Sequence, residues 1–445
     1  MPPIEQQPLG GVRVLEVSTG IAAPSCGRYL SALGAEVVKV ETPSKLDITR
    51  QYVAAWMSRD EPVGVQTDSS PLVDEFLADK RSVGMDIASE AGRAVFRRLI
   101  ASADIFVINQ SAKAVRSLGL TYDEVVKFRE DIIYMSLPAF GDSPSMYSEY
   151  KTWGPNLASL GGIDHVTGWS DRAPSGISCF AYTDHLAANH TTIVLLAALL
   201  ERDLTGSGAH VDFSQLESVV STLGVMITDF TANGRVQQRD GNRVRWAAPH
   251  GVYQCRGTDQ WVAIVCEDDE DWKKLCEVAA SEGFAGDQRW ARAERRVVGG
   301  AELDTLIEDW TKAHTSRHIA YILQAHGVAA APVHDDAGLL MDPQLESRDY
   351  YITRPSARFG LGMFSRVPPL FSKTPAHHER AGEALGEESE KVLAEWTGMS
   401  QGECDELTAS GILFPAKDLD RSYHRPYVSW FRYFAPTLGW ADPDD

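Results

Sequence analysis

The sequence predicts a protein of the α/β class, with a parallel, doubly wound sheet and a smaller α+β domain. Three observations support this prediction. Short apolar runs alternate with helical segments over residues 12–136, as strands and crossover helices do in a parallel sheet. Residues 251–266 hold two apolar runs joined by Arg-Gly-Thr-Asp, which predicts an antiparallel hairpin. Apolar residues make up 44% of the chain and charged residues 23%, the balance of a folded globular protein.

The predicted strands of the large sheet are short and apolar, as expected for strands that are buried on both faces. They lie at residues 12–17, 36–41, 82–86, 104–109, 131–136 and 209–213. The helices of the same domain are predicted at 22–35, 89–103, 121–129, 185–202 and 215–231. Pro24 in the first turn of the first helix and Gly34 at its end are ordinary signals of helix boundaries.

Changes in composition divide the chain into four parts. We expect residues 1–232 to form the first part of the large domain, 233–340 the small α+β domain, 341–417 a return segment to the large domain, and 418–445 a C-terminal tail. Further helices are predicted at 271–281, 301–313, 317–326 and 387–396. Residues 43–78 are predicted as a long excursion, and 235–250 and 333–372 as long connections.

Charge and cysteine content exclude several classes of function. The 42 Lys and Arg residues against 62 Asp and Glu residues give a net charge of −20, which repels nucleic acids and anionic membrane surfaces. The 6 cysteines include no C-x-x-C pair, which favours reduced thiols in a cytoplasmic protein. Neither a signal peptide nor an apolar run of membrane-spanning length is found, so we expect a soluble protein.

Common catalytic motifs are missing from the sequence. It has no G-x-x-x-x-G-K-[ST], H-E-x-x-H or G-x-S-x-G motif and no Cys/His spacing typical of zinc, so no metal is expected. The first strand–helix turn, residues 18–24, lacks the three glycines of a dinucleotide-binding fingerprint, which disfavours hydride transfer.

Several ordered motifs carry a resemblance instead. They are Leu9-Gly-Gly-Val-Arg-Val-Leu-Glu16, Leu33-Gly-Ala-Glu-Val-Val-Lys-Val-Glu41, Lys80-Arg-Ser82, Tyr182-Thr-Asp184-His185, Arg202-Asp-Leu-Thr-Gly-Ser-Gly208, Asp342-Pro-Gln-Leu-Glu-Ser-Arg348 and Pro369-Leu-Phe-Ser-Lys-Thr-Pro375. In this order and spacing the chain closely resembles the family III CoA-transferases, the carnitine dehydratase/bile-acid-inducible group that includes the formyl-CoA transferases. The resemblance covers residues 8–415.

The resemblance implies a fold and a reaction. Its members have a Rossmann-like large domain and a small domain, and two chains interlock as a dimer. They move coenzyme A, a co-substrate that is not permanently bound, from an acyl-CoA donor such as succinyl-CoA to a free carboxylic acid. An aspartate attacks the thioester, and the reaction passes through an aspartyl-CoA thioester. The position that matches this nucleophile is Asp184.

Residue chemistry alone gives Asp184 two compatible roles. An aspartate just before an apolar helix is most often an N-cap that accepts a backbone N–H. The positive end of the helix dipole would also keep the carboxylate ionised and available as a nucleophile.

Other site residues follow from position and from the resemblance. Ile21 and Ala22 lie in the first strand–helix turn and are predicted to contact the substrate. Arg81, Asn109, Lys113 and Arg116 are predicted to bind CoA. His165 and His185 are equally compatible with acid–base and structural roles. Formyl-CoA transferases have a glutamine where this chain has Ile21, so we expect an acceptor larger and more apolar than formate or oxalate.

Three tryptophans, Trp153, Trp169 and Trp246, flank the expected site and are either pocket walls or ordinary core residues. Two alternative functions remain open. One is a CoA-thioester isomerase or racemase, disfavoured because no histidine occurs in Lys151-Thr-Trp-Gly-Pro155, before Asn156. The other is a weakly active subunit of a heteromeric CoA-transferase, since some motifs of the CoA site depart from the family pattern. The expected partners are therefore a second copy of the chain or a homologous subunit.

Overall fold

The computed structural model describes residues 7–51, 70, 72–148, 150–177, 181–281, 287–356 and 360–416. The predicted tail, 418–445, Cys179 and much of the excursion at 43–78 lie outside these residues. The strands are β1 Arg13–Val17, β2 Glu36–Glu41, β3 Arg81–Gly84, β4 Ile105–Ile108, β5 Ile133–Ser136, β6 Ala209–Asp212, β7 His250–Gln254, β8 Trp261–Val265, β9 Ala329–Pro332, β10 Tyr351–Ser356 and β11 Gly360–Ser365.

Helices alternate with these strands in the first half of the chain, and further helices follow in the second half. They are α1 Ala22–Ala32, α2 Ile48–Gln51, α3 Leu72–Phe76, α4 Glu90–Ser102, α5 Ala112–Leu118, α6 Tyr122–Val125, α7 Gly154–Leu160, α8 Ile163–Val166, α9 Tyr182–Thr205, α10 Gln215–Ser221, α11 Gly224–Asn233, α12 Asp269–Ala280, α13 Ala293–Val298, α14 Gly300–Thr311, α15 Ser316–Ala325, α16 Asp336–Leu340, α17 Pro343–Ser347, α18 Ser389–Thr397 and α19 Gln401–Ala409. Short 3₁₀ turns occur at Pro43–Lys45 and Gln288–Trp290.

The chain divides into two compact units. Among the described residues, the first contains those within 1–161, 179–225 and 343–445, and the second contains those within 162–178 and 226–342. In the first unit, six strands form a parallel sheet in the order β3-β2-β1-β4-β5-β6. This confirms the predicted α/β class with its parallel sheet.

Alternating side chains give the large sheet a core on each face. Val14, Val37 and Ile105 pack with α1 and α9, whereas Leu15, Val38 and Phe106 pack with α4 and α18 on the other face. Helices α1 and α9 meet through small residues such as Ala23 and Ala187, both fully buried. Small side chains let the two helices approach closely, which brings their N-terminal turns together.

The second unit is built on an antiparallel sheet in the order β7-β8-β9. The β7–β8 pair is the hairpin that the sequence predicts. Helices α12, α14 and α15 cover the sheet through buried side chains that include Trp272, Leu303, Ile307 and Leu323.

Three predictions about elements are wrong in detail. Residues 333–372, predicted as a long connection, contain the regular elements α16 and α17 and the antiparallel pair β10–β11. The helix predicted at 215–231 is two helices, α10 and α11, divided at residues 222–223. The long helix α9 begins at Tyr182, three residues before its predicted start. No helix among the described residues has the length and apolar character that a membrane crossing requires.

Candidate active site

The large sheet has its topological switch point between β1 and β4. From β1 the chain continues to β2 and β3 on one side, and it enters β4 on the other side of β1. Doubly wound sheets bind ligands outside the carboxyl ends of the strands at such a point. The turn that leaves β1 there leads into α1, and Ile21 and Ala22 are the last residue before this helix and its first residue.

Asn109 fixes this turn from the neighbouring strand. It directly follows β4, and its side-chain oxygen accepts a hydrogen bond from the Thr19 amide at 2.9 Å while its side-chain nitrogen donates to the Thr19 carbonyl at 2.7 Å. Both polar atoms of the amide group therefore have backbone partners. The predicted CoA-binding role of Asn109 remains a prediction, but its observed contacts are those of a residue that positions the turn.

Asp184 is the third residue of α9, not its N-cap. The cap position is Ala181, which has left-handed backbone geometry with a φ of 54° and makes no side-chain capping bond. The capping role predicted from the sequence is therefore wrong, because the helix begins before the aspartate. The carboxylate accepts a hydrogen bond from the Thr183 hydroxyl at 3.4 Å and lies near the Ala22 backbone amide.

Burial dominates the electrostatics of Asp184. Desolvation raises the pKa of its carboxyl above the ordinary value for aspartate, although the Thr183 hydroxyl and the Ala22 amide act in the lowering direction. Among the residues that the structure describes, no charged side chain contributes to this shift. Burial therefore outweighs the influence of the helix terminus on this pKa, and the expectation that the carboxylate is ionised and reacts as a nucleophile stays a prediction. A poorly solvated carboxylate without a cationic partner is a stronger nucleophile than a solvated one.

Gly154 provides the space for this carboxylate. It is the first residue of α7, and a Cβ atom added to it would lie 2.9 Å from Asp184 Oδ2 and 2.9 Å from Thr183 Oγ1. Only glycine therefore leaves Asp184 in its present conformation. Trp153, directly before Gly154, is 64% exposed.

The predicted CoA-binding residues do not lie together. Lys113 and Arg116 are exposed on α5, the helix that follows β4 at the carboxyl edge of the sheet. Arg81 begins β3, and its guanidinium forms ion pairs with Glu36, Glu388 and Glu395. Glu36 is the first residue of β2, so this cluster is at the amino edge of the sheet, away from the switch point. The β1–α1 turn thus joins Asn109, which binds Thr19, to Asp184, which lies near the Ala22 amide, and Arg81 is not part of this group.

The candidate histidines have structural contacts. The ring of His185 lies 5.9 Å from that of Phe76, and burial lowers the pKa of its imidazole. His165 is in the second unit, where its backbone carbonyl accepts a bond from Arg239.

All three candidate tryptophans are exposed side chains. Trp169 and Trp246, both in the second unit, are 46% and 74% exposed. Together with the exposure of Trp153, this excludes the interpretation of the three tryptophans as core residues.

Two features of the site were not identified from the sequence. One is Gly154, for which no sequence signal exists because its role depends on a contact between separate helices. The other is a set of buried charges beneath the turn, Glu16, Lys39, Asp47 and Lys80. Glu16 and Lys39 interrupt apolar strands, and a charge at such a position requires a buried partner, so these two could have been predicted as a pair. The described residues contain no group of three or more His, Cys, Asp or Glu side chains that could hold a metal ion.

Comparison with known proteins relates the whole chain to one family. A protein-family model described as CoA-transferase family III matches residues 9–389. Succinyl-CoA–D-citramalate CoA-transferase of Chloroflexus aurantiacus is 28% identical over 92% of this chain and 98% of its own length. The beta subunit of succinyl-CoA–L-malate CoA-transferase from the same organism is 26% identical over 91% of this chain and 98% of its own. The crystal structure of a CAIB/BAIF family protein from Brucella suis superposes with a TM-score of 0.77 at 29% identity, covering 88% of this chain and 99% of that one.

Proposed function

The chain belongs to CoA-transferase family III and is an enzyme that transfers CoA, and we propose that it carries CoA from an acyl-CoA donor to a free carboxylic acid with Asp184 as the nucleophile. The observation that carries this proposal is the Asp184 carboxylate itself. It is desolvated, has no cationic partner among the described residues, and lies at the switch point beside the first amide of α1.

The proposed reaction is a double exchange at this carboxylate. An Asp184 oxygen attacks the thioester carbonyl of the donor, the C–S bond breaks, and CoA leaves as its thiolate, which gives a mixed anhydride. The thiolate then attacks Cγ of Asp184, the anhydride C–O bond breaks, and the donor acid leaves as a carboxylate. The acceptor carboxylate takes CoA from the aspartyl thioester by the same two steps in reverse, so that Asp184 is regenerated.

The Ala22 amide supports the steps in which Cγ of Asp184 is attacked. Negative charge then develops on the remaining carboxyl oxygen, and a backbone N–H held near that oxygen stabilises the charge. Because Ala22 is fully buried at the start of α1, its N–H is already oriented before the reaction, and bulk water does not compete for it.

CoA itself would bind along the carboxyl edge of the sheet. Lys113 and Arg116, exposed on α5, are the cations of the predicted set at this edge and are proposed to meet its phosphates, and Asn109 precedes them at the end of β4. Arg81 is not part of this proposal because three carboxylates already surround its guanidinium.

We expect succinyl-CoA to be a suitable donor and an acid with an apolar body to be the preferred acceptor. The two relatives described above are named for succinyl-CoA, and the CoA portion of a donor supplies its own binding contacts. The acceptor carries no CoA, so the enzyme must recognise it by its own carbon skeleton, beside the buried Ile21 and the exposed Trp153. Removing about 100 Å² of apolar ligand surface from water gains about 2–3 kcal/mol, whereas a second carboxylate there would be desolvated without a partner.

The deciding experiment compares kcat/KM with succinyl-CoA across oxalate, L-malate, D-citramalate, a phenyl-substituted succinate and an arylpropionate. We expect an apolar acid to exceed oxalate by at least about tenfold. Trp153→Ala should reduce this preference without changing the KM for succinyl-CoA. A tenfold advantage for oxalate would refute the apolar acceptor, and failure of all acids with several donors would refute the transfer function for the chain alone.

We propose further that the enzyme works as a dimer or with a homologous subunit. Helix α9 exposes Ile193, Leu200 and Leu204, and α11 contains no buried residue. Exposed apolar side chains grouped on a helix are typical of association surfaces. The heteromeric alternative is supported by the relative named as a beta subunit.

Light scattering at micromolar concentration measures this assembly directly. We expect twice the monomer mass of 48.9 kDa. A stable, folded monomer that transfers CoA would contradict the proposal, and an inactive chain that gains turnover with a homologous subunit would favour the heteromer.

A further inference from the structure

We propose that four buried charged residues, Glu16, Lys39, Asp47 and Lys80, are positioning residues that hold the β1–α1 turn so that the Ala22 amide faces Asp184. The inference rests on the proposed role of Asp184 as nucleophile. None of the four residues touches the reacting atoms, and each acts through the backbone of residues 18–24.

Lys39 and Asp47 hold the first half of the turn. The Lys39 ammonium donates to the Ser18 carbonyl at 3.0 Å, to the Ser18 hydroxyl at 2.8 Å and to Asp47 Oδ2 at 2.8 Å. Asp47 Oδ1 accepts the amide hydrogens of Gly20 at 3.0 Å and Thr49 at 2.9 Å. Burial opposes the charge on Asp47, but the Lys39 ammonium and these amides lower the pKa of its carboxyl overall.

Glu16 and Lys80 hold the second half, where α1 begins. The Lys80 ammonium donates to Glu16 Oε2 at 2.7 Å and to the Pro24 carbonyl at 2.7 Å, and the Ser18 hydroxyl donates to Glu16 Oε1. A Cβ atom on Gly27 of α1 would lie 2.2 Å from Glu16 Oε2, so only glycine admits this pair beneath the helix.

Burying four charged side chains costs free energy, and their contacts with the backbone explain why they are present here. Their side chains are at most 2% exposed, and two ammonium groups offset two carboxylates. Apolar residues of similar volume commonly stabilise a buried site as well or better than such ions. What apolar residues cannot do is bind backbone groups, and here the side chains engage the Ser18 and Pro24 carbonyls and the Gly20 amide. Asn109 also binds the backbone of Thr19. The backbone of residues 18–20 is therefore held by Lys39 of β2, by Asp47 in the segment after β2 and by Asn109 directly after β4.

The consequence for Asp184 is geometric. Ala22 follows Gly20 by two residues, and Gly20 has a φ of 76°, a left-handed geometry that the bond to Asp47 maintains. If the turn is loosened, the Ala22 amide moves relative to the carboxylate. Its lowering effect on the pKa of Asp184 then weakens, and so does its stabilisation of charge during attack on Cγ.

The test uses the full chain with the double substitution Lys39→Met and Asp47→Asn, which removes one cation and one anion together. The matched control is Arg129→Met with Asp104→Asn, which removes an ion pair of 2.9 Å at the amino edge of the same sheet. For each protein, kcat and KM are measured, and the pKa of Asp184 is measured from the pH dependence of its carbodiimide labelling by mass spectrometry.

We expect the double substitution to lower kcat by about 10–100-fold, to change the KM for acyl-CoA by less than about twofold, and to raise the labelling pKa of Asp184 by about half a unit or more. The control should lose thermal stability without changing kcat or that pKa. An unchanged kcat and an unchanged Asp184 pKa in a folded double variant would overturn the inference. If the double variant does not fold, Asp47→Asn alone is measured, with the same direction expected.

The labelling experiment separates this inference from the proposed function. A wild-type chain that transfers no CoA would refute the function, while the pKa of Asp184 in the variants would still show whether the charges position the Ala22 amide. A normal rate of transfer with no dependence on Lys39 and Asp47 would refute only the positioning role.

Discussion

Asp184→Ala and Asp184→Asn should each reduce CoA transfer by at least about 10³-fold while the protein stays folded. Without the carboxylate neither the mixed anhydride nor the aspartyl thioester can form, and no second carboxylate contributes to the electrostatics at that position among the described residues. The rate is measured by separating the donor and product CoA esters. In wild-type protein incubated with acyl-CoA, borohydride or hydroxylamine should modify Asp184, and the modified peptide is identified by mass spectrometry.

Stability should change in the direction opposite to activity. The folded protein raises the pKa of Asp184, so the ionised form destabilises the native state once the pH exceeds the unfolded pKa of this group. Asp184→Asn removes that unfavourable charge, and its melting temperature at neutral pH should equal or exceed that of the wild type. A loss of activity accompanied by unfolding would not support a catalytic role.

Glu383→Gln is the matched control for these variants. Glu383 is also a buried carboxyl whose pKa desolvation raises, to about 7, but it accepts a hydrogen bond from the Ser82 amide, far in sequence from the Asp184 site. Its substitution should leave transfer unchanged. Substantial transfer by either Asp184 variant would remove this residue from the mechanism.

The sequence was sufficient for most of the large sheet because strands β1 to β5 are buried on both faces. A strand such as Val-Leu-Glu-Val in β1 has few polar residues, and turn signals bound it on each side. The β10–β11 pair was missed for the opposite reason: Pro355 interrupts the first strand and glycines at 360 and 362 weaken the second. Its strands are specified by pairing with each other and by packing of Ile352 and Phe364 against Ala78, a contact that no local pattern reveals.

Strand direction explains where the structure places the predicted site residues. Asn109 follows its strand and Ile21 and Ala22 follow theirs, so all three reach the carboxyl edge where ligands bind. Arg81 begins its strand, and the same rule would have placed it at the amino edge, among the carboxylates that surround it. The position of Asp184 came from the resemblance, and its environment could not be predicted, because desolvation depends on how α1, α7 and α9 pack.

Gly154→Ala should reduce kcat/KM for transfer by about 100-fold or more without destabilising the protein. The new methyl carbon would lie 2.9 Å from Asp184 Oδ2 and from Thr183 Oγ1, closer than carbon and oxygen atoms approach without a shift. Both oxygens belong to side chains, so the fold can accept the methyl group by rotating the carboxylate. The rotation moves Asp184 away from the Ala22 amide and from the line of attack on the thioester, and a displacement of about 1 Å is enough for a loss of this size.

Gly402→Ala is the control that isolates this effect. Like Gly154, Gly402 lies in the first turn of a helix with ordinary backbone geometry, but a Cβ atom there would meet no atom within 4 Å. Both substitutions replace glycine with a better helix former, which favours stability by up to about 1 kcal/mol, so melting temperatures should be equal to wild type or higher in both. Transfer should fall only in Gly154→Ala, and the labelling pKa of Asp184 should change with it. Equal transfer rates in the two variants would show that the space beside Gly154 is not needed for the carboxylate to react, because only the methyl group at position 154 meets Asp184 and Thr183.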